Sequence, residues 1–566
     1  MSELDLHDIQ GNITRPYGRY GFPYARYFLF HIEEGEGDAG RWFVDQLRAY
    51  VTTAEPWKSS KTENRPGVTK VKPLVTVNVA FTYAGLCALD LPTATLRGMP
   101  DEFIEGMACR KHILGDLHGS DPAEWDPVWR DANLPHGRRT HIWVALNAQA
   151  KEIEGTPVDE LEVWTTWLKA LTENPHAKDK VLLLKGHGRD GQGEWQDSCT
   201  RMVRDPVTGR PMPTPDEHFG FMDGIGDPVF TGQYEEKEEA VEVIGDGKLM
   251  PGPYGQASWK PLAAGEFLFG YPSEGQEESM ASVPYQFMRN GTFMALRKLH
   301  QNTGTFHRQM RDYAALYRRV ANLASEEEAL ETLKAKMVGR WRSGVPLTVA
   351  PTYREMLDIL KDYPMMLKRQ KGEVLQGPAE WLAYKAELAR IDGTAVLRNF
   401  RYTDDPQGRK CPLGAHMRRA NPRDMLDPQP DRDAKGQVTS STSTLVNRRR
   451  ILRRGLPYGE CSERDEDEHG VFIMALCTSL FRQFEFIQQQ WVQYGLDFES
   501  GNDTCPIVGN RDQAAKFVIP ADGTNGAMPF VAQDMQQYVV VRGGDYFFIP
   551  SMNALRMIAT GEIDPT

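Results

Sequence analysis

The sequence predicts an α+β protein built as a duplication of ferredoxin-like domains. In each half of the chain, runs with the two-residue period of a strand alternate with runs of helical period. A proline-rich polar stretch, Arg204 to Pro215, separates the halves. The 566 residues exceed one ordinary core at roughly 100 to 200 residues per domain. Apolar residues at 40 % and charged residues at 25 % are those of a packed globular chain.

In the first half, Arg26 to Ile32 reads as a strand, and Ala39 to Ala54 brings Trp42, Phe43, Leu47, Tyr50 and Val51 to one helical face. Leu74 to Thr82 alternates Val75, Val77, Val79 and Phe81 with Thr76, Asn78 and Thr82. That period makes the uncharged run 73–89 a strand region and not a membrane span. His141 to Ala148 is a third strand, Val158 to Leu171 a second helix and Val181 to Lys185 a fourth strand. The order is βαββαβ, which gives an antiparallel sheet with helices packed on it, although helical pieces such as Phe103 to Leu114 intervene. The polar stretch divides the chain into 1–215 and 216–566. In the second part, Glu266 to Tyr271, Thr292 to Leu296, Val471 to Leu476 and Tyr538 to Val541 read as strands, and Leu480 to Tyr494 and Ser551 to Ala559 as helices. Charged helical insertions near 311–396 and a polar loop at 421–447 account for its extra length.

Asp and Glu number 78 against 66 Lys and Arg, a net charge of −12 that offers no chain-wide attraction for a phosphate backbone. Nucleic acid is therefore not an expected partner. Seven scattered cysteines without a CxxC pair fit neither a disulfide framework nor a zinc ribbon. The amino terminus carries three acids by Asp8 and no apolar core of a secretory signal, so a cytoplasmic protein without membrane attachment is expected. HExxH, GxSxG and GxxxxGK[ST] are absent, which removes support for hydrolase and phosphoryl-transfer chemistry.

Gly35 to Gly40 matches GxGxxG between a strand and a helix, but Glu33, Glu34, Glu36 and Asp38 would repel a pyrophosphate there. An acidic helix-capping turn is the better reading. Residues 448–454 contain five arginines interrupted by Ile451 and Leu452, a pattern that turns some of them inward, where a guanidinium needs an anionic partner. Asp223-Gly224 taken alone is a turn, and His416 taken alone a core histidine. Cys411 lies five positions before His416, yet no second cysteine or histidine pair completes a zinc site.

Together these pieces resemble the dye-decolorising peroxidases, and its larger, non-secreted branch most. The matching segments are Asp8-Ile9-Gln10-Gly11-Asn12-Ile13, His218 to Ile225 with Gly220-Phe221-Met222-Asp223-Gly224, Cys411 to Arg423, Ile451 to Gly459, Arg482 to Phe486 and Arg542 to Pro550, in order along almost the whole chain. The resemblance implies two ferredoxin-like domains with haem b in the second. It implies His416 as axial ligand of the iron, Glu485 as the hydrogen-bond partner of that imidazole, Asp223 and Arg453 on the opposite, distal face, and Arg423 facing a propionate. The chemistry implied is haem peroxidase chemistry: reduction of hydrogen peroxide through Compound I, then one-electron oxidation of dyes and phenolic or other small aromatic reductants. Asp223 would shuttle the proton and Arg453 would stabilise the departing charge. The alternatives are a haem carrier on the same fold and a haem-free protein acting through its arginine run. Two departures stand out: the long loop after Pro422, and Gly226-Asp227 where Ser-Gln is common in the family.

Overall fold

Period-two apolar runs become strands here, and among the described residues ten of them form one sheet in the computed structural model. The structure describes residues 4–58, 68–134, 137–251, 257–427, 430–434, 438–501, 503–511, 515–521, 523 and 527–564. Eight strands carry the topology: β1 Tyr24–Ile32, β2 Val75–Phe81, β3 Ile142–Ala148, β4 Val181–Leu183, β5 Thr292–Gln301, β6 Leu452–Arg454, β7 Gly470–Cys477 and β8 Val539–Ile549. Their order across the sheet is β6-β7-β5-β8-β2-β3-β1-β4, and the pairings are antiparallel. The first four strands run 2-3-1-4 and the last four repeat that permutation as 6-7-5-8. The fold is thus a duplicated ferredoxin-like α+β architecture.

Helices Gly37–Arg48 and Glu160–Thr172 complete the first repeat. The acidic turn before Gly37 is neutralised by basic side chains, Glu33 by Arg138 and Glu36 by Lys180, as suits a helix start and not a phosphate cradle. In the second repeat Thr303–Val320 follows β5 directly, so the helix the charge pattern places in an insertion starts as the repeat's own first helix. Helices Glu326–Val338, Tyr353–Leu360 and Gly377–Gly393 then build a separate small core around Trp341, Leu347, Trp381 and Tyr384.

Two elements differ from expectation. Glu266 to Tyr271 is no strand: Ala264–Glu266 is a 3-10 turn, and Phe267, Leu268 and Phe269 are all buried in succession. Continuous burial without a partner strand imitates a strand in sequence. The stretch from Leu480 to Val492 is a helix, but a wide π-helix over Leu480–Glu485 and Ile487–Val492. Its widened turn faces Phe484, Ile487, Gln488, Trp491 and Val492 onto one cavity.

The two halves of the sheet meet at a single residue pair, Phe548 opposite Phe81. The amino-terminal segment closes this seam. Gln10 Nε2 donates to the carbonyls of Val79 and Pro550, each at 2.9 Å, and its Oε1 accepts from Val79 N and Asn78 Nδ2. Asp8 accepts from Asn290 Nδ2 and from Asn553 N, both at 2.7 Å. Gly11 is obligatory because a Cβ would lie 2.6 Å from the Thr53 carbonyl. This cover explains why Thr76 and Asn78, the polar side of β2, are buried.

Replacing Gln10 by Ala leaves several buried main-chain groups without partners, at ~1–3 kcal/mol each. The expected result is a lower urea midpoint with a loss of roughly 3 kcal/mol or more, read by urea unfolding; an unchanged midpoint would show that the seam does not depend on Gln10.

Candidate functional site

His416 opens the short helix His416–Ala420 and lines a cavity bounded by the π-helix, the inner faces of β6 and β7, and the 421–423 turn. The two arginines that follow it hold this turn in place. Arg418 is fully buried, pairs with Asp405 at 3.1 Å and donates to the carbonyl of Cys411. Arg419 donates to the carbonyls of Gly414, Trp491 and Tyr494, which ties the histidine turn to the π-helix. The His416 ring is oriented by a residue that sequence reasoning missed: its Nδ1 lies 3.2 Å from the Sγ of buried Cys505. Burial raises that thiol, but the His416 imidazole and Arg419 outweigh burial and bring it down to about 6.

Arg453, on β6, lines the same cavity as His416. Its Nη1 is 3.0 Å from Asp223 Oδ1, its Nη2 donates to the Ile225 carbonyl and its main-chain N to Asp227 Oδ1. Asp227 also takes Arg454 Nη1 at 2.8 Å, while Arg454 Nε and Nη2 reach the carbonyls of Asn12 and Ile13. The departure at Gly226-Asp227 therefore has a structural role, because Asp227 anchors both arginines of the pair. Asp223 precedes Gly224, whose φ of +77° a side chain would resist although the space around it is open. Gly224 N donates to Asp223 Oδ1 at 2.7 Å. Desolvation raises the Asp223 carboxyl, but the Arg453 guanidinium and this amide outweigh it, and the net direction is down. Arg453 moves the other way, upward, chiefly because of the Asp223 charge. The two side chains are 40 % and 37 % exposed, and both also border a wider cleft of about 970 Å³ between the first repeat and helix Gly377–Gly393. Ile225, Arg453 and Ile473 line both spaces, so the cleft and the cavity meet at Arg453.

The cavity wall carries further arginines of a different kind. Arg340, Arg423 and Arg450 are buried and donate to main-chain carbonyls, those of Leu397, Phe400 and Asp246 among them. Burial, with Arg423 next, brings Arg340 and Arg450 down to about 10. The buried Nε of Arg340 has no hydrogen-bond partner. Arg423 stacks on the Phe400 ring at 3.8 Å and holds a left-handed φ of +53°, a strain that non-glycine residues adopt where the surroundings impose it. The Asp246 charge acts on all three, and several guanidiniums around one buried carboxylate leave an excess of positive charge that favours an anion. With a histidine on one wall, Ile225, Leu299, Ile451 and Val539 among the apolar lining, and these arginines at the rim, the cavity suits a flat apolar group that bears a metal and carboxylates.

The structure thus brings His416, Arg453 and Arg423 to one cavity, with Asp223 hydrogen-bonded to Arg453. Glu485 is not among them, and its expected role as the histidine's partner is corrected. Its carboxylate is buried against Arg110, with Nε–Oε1 2.5 Å and Nη2–Oε2 2.7 Å, and it accepts from Tyr546 Oη. The π-helix turns it away from the cavity and toward the first repeat. Among the described residues no cluster of three or more His, Cys, Asp or Glu could hold a metal ion.

No family model matches the chain. It is similar to the dye-decolorizing peroxidase of Exidia glandulosa, 27 % identical over 568 residues, which cover 98 % of this chain and 87 % of that protein. A dye-decolorizing peroxidase of Mycena epipterygia is 24 % identical over 587 residues, with 98 % and 87 % covered. Among solved structures, an ancestral D-type dye decolorizing peroxidase superposes with a TM-score of 0.66 at 24 % identity, over 98 % of this chain and 99 % of that one. The fungal DyP-type peroxidase of Auricularia auricula-judae gives 0.64 at 19 % identity, over 99 % and 100 %.

Glu485→Ala strips Arg110 of its buried partner and is expected to destabilise the protein by on the order of 3 kcal/mol. Denaturant unfolding reads that loss. The same variant should leave the environment of the His416 ring unaltered, which histidine NMR shifts would report; a moved His416 signal would restore Glu485 as its partner.

Proposed function

We propose that this chain, similar over 98 % of its length to dye-decolorizing peroxidases, is a haem peroxidase that reduces hydrogen peroxide and oxidises dyes and phenolic or other small aromatic reductants. The observation that carries this reading is His416 and Arg453 on one cavity whose wall is cationic, with Asp223 hydrogen-bonded to Arg453. His416 would ligate the iron through Nε2, since Nδ1 faces Cys505. Arg423, Arg450 and Arg340 would receive the propionates, which would offset the positive charge that Asp246 leaves in excess there. With no CxxCH sequence for covalent attachment, the group implied is haem b. Haem supplies the redox change that splits the peroxide bond and then accepts single electrons from the reductant.

The protein's part is the movement of one proton. A carboxylate takes a proton from one peroxide oxygen and returns it to the other, which leaves as water; Asp223, ionised at ordinary pH because its pKa is lowered, has that capacity. Arg453 cannot release its proton in this range, so it stabilises the negative charge of the departing oxygen and keeps Asp223 ionised. The wide cleft supports access of peroxide to this pair. Residues 1–215 and 216–566 would act as scaffold and haem-binding domain respectively. Seven unpaired cysteines support a reducing, cytoplasmic setting, and among the described residues no helix is long and apolar enough to cross a membrane.

The reading is tested by the absorption spectrum of purified protein and by its turnover of peroxide with a dye. A Soret band with turnover supports it, a Soret band without turnover identifies a haem carrier, and no band refutes both. His416→Ala should lose or severely weaken haem binding. Asp223→Asn and Arg453→Leu should bind haem yet slow the first reaction with peroxide roughly 10²-fold in stopped flow.

The pH dependence follows from the lowered Asp223. Above its pKa the carboxylate accepts a proton and the peroxide step runs; below it the step fails. Because Arg453 holds that pKa below the ordinary value of about 3.9, the peroxide step should stay flat through mildly acid pH and fall only in stronger acid. Asp223→Asn should abolish that acid limb; a limb unchanged in the variant assigns the proton transfer to another group.

A further inference from the structure

An imidazole that ligates through Nε2 must carry its proton on Nδ1, and whatever accepts that proton sets the orientation and donor strength of the ring. Carboxylates are the strongest acceptors for this purpose, and the one expected from sequence, Glu485, is held by Arg110 and Tyr546. In its place the fold brings Cys505, 89 positions along the chain, to 3.2 Å from Nδ1. The position is a built one. Cys505 N donates to the Val492 carbonyl at 2.7 Å, which locks the residue to the end of the π-helix. Its own carbonyl accepts from Arg511 Nη2 at 3.0 Å and from Gly509 N at 3.1 Å. A Cβ at Gly509 would come within 2.6 Å of the Cys505 backbone, so the 505–509 turn closes tightly around it. Cys505 is fully buried, and the guanidiniums of Arg419 and Arg511 both act on it electrostatically.

We propose that Cys505 is the positioning residue behind His416: its sulfur accepts the hydrogen bond from Nδ1–H, fixes the tautomer and rotation of the ring, and makes the imidazole a stronger donor to haem iron than one with no acceptor behind it. This rests on the haem reading above. With the proton on Nδ1, the hydrogen bond runs from nitrogen to sulfur, and the lone pair of Nε2 is left for the metal. The sulfur makes no contact with substrate and changes no oxidation state in this role.

The test uses the haem-loaded protein and its Cys505→Ala, Cys505→Ser and Cys505→Asp variants. It reads the iron–histidine stretching band of the ferrous form by resonance Raman, together with the ferric/ferrous reduction potential. Loss of the acceptor in Cys505→Ala should lower the band and raise the potential with haem still bound. Cys505→Ser, whose hydroxyl also accepts, and Cys505→Asp should hold the band at the parent's position or above. A purely structural role for the thiol would not order the variants by acceptor strength. A band and potential identical in the parent and all three variants overturn the proposal while leaving the haem reading intact. A parent that lacks an iron–histidine band overturns both. Should Cys505→Ala fail to fold, ¹⁵N-histidine NMR of the parent apoprotein decides: a proton on Nδ1 of His416 supports the proposal, and a proton on Nε2 alone overturns it.

Discussion

One residue pair, Phe81 opposite Phe548, is all the strand pairing that joins the two halves of the sheet, and the site depends on how that narrow seam is sealed. Residues 8–13 seal it. Gln10 satisfies main-chain groups of β2 and of Pro550 just beyond β8, and two residues later the Asn12 and Ile13 carbonyls receive Arg454. Arg454 is thereby fixed from the first repeat, and Asp227 holds it and the main chain of Arg453 from the second. The neighbouring side chain, Arg453, is left to face Asp223. A segment far from the cavity in sequence thus helps to set where Arg453 and its partner Asp223 point.

The arginines around the cavity divide into two electrostatic kinds. Arg453 has its counter-ion inside the protein, and its pKa rises because Asp223 is beside it. Arg340 and Arg450 have carbonyls for partners, repulsion from Arg423, and pKa values drawn down by burial. A buried cluster with more cations than counter-ions is costly to keep, and an anionic ligand would offset that cost. The first kind suits proton chemistry in a fixed pair; the second suits an anionic group that arrives from outside.

Much of this was readable in the chain. The βαββαβ order of the first half is written in short, clean alternations such as Val75, Val77, Val79 and Phe81, and the strand order 2-3-1-4 followed. The second half was harder, because helices from Glu326 to Gly393 separate β5 from β6. Phe267 to Phe269 misled because a turn buried on every side has the composition of a strand. The π-helix could not be seen, since its period differs from the helical one only over a few turns, and that widening is what swings Glu485 away from the cavity. His416, Asp223, Arg423 and Arg453 were legible as candidates because each lies in a distinctive local motif. Cys505 was missed because its meaning comes wholly from a contact 89 residues distant. The inward reading of residues 448–454 holds for Arg450 and Arg454, both buried.

The most direct measurement is a crystal structure of the protein purified with haem. His416 Nε2 should be bonded to the iron, Cys505 Sγ should remain against Nδ1, the propionates should reach Arg423, Arg450 or Arg340, and Arg453 with Asp223 should stand over the open face of the iron. Haem ligated by any other residue, or bound outside this cavity, would contradict the assignment of the site.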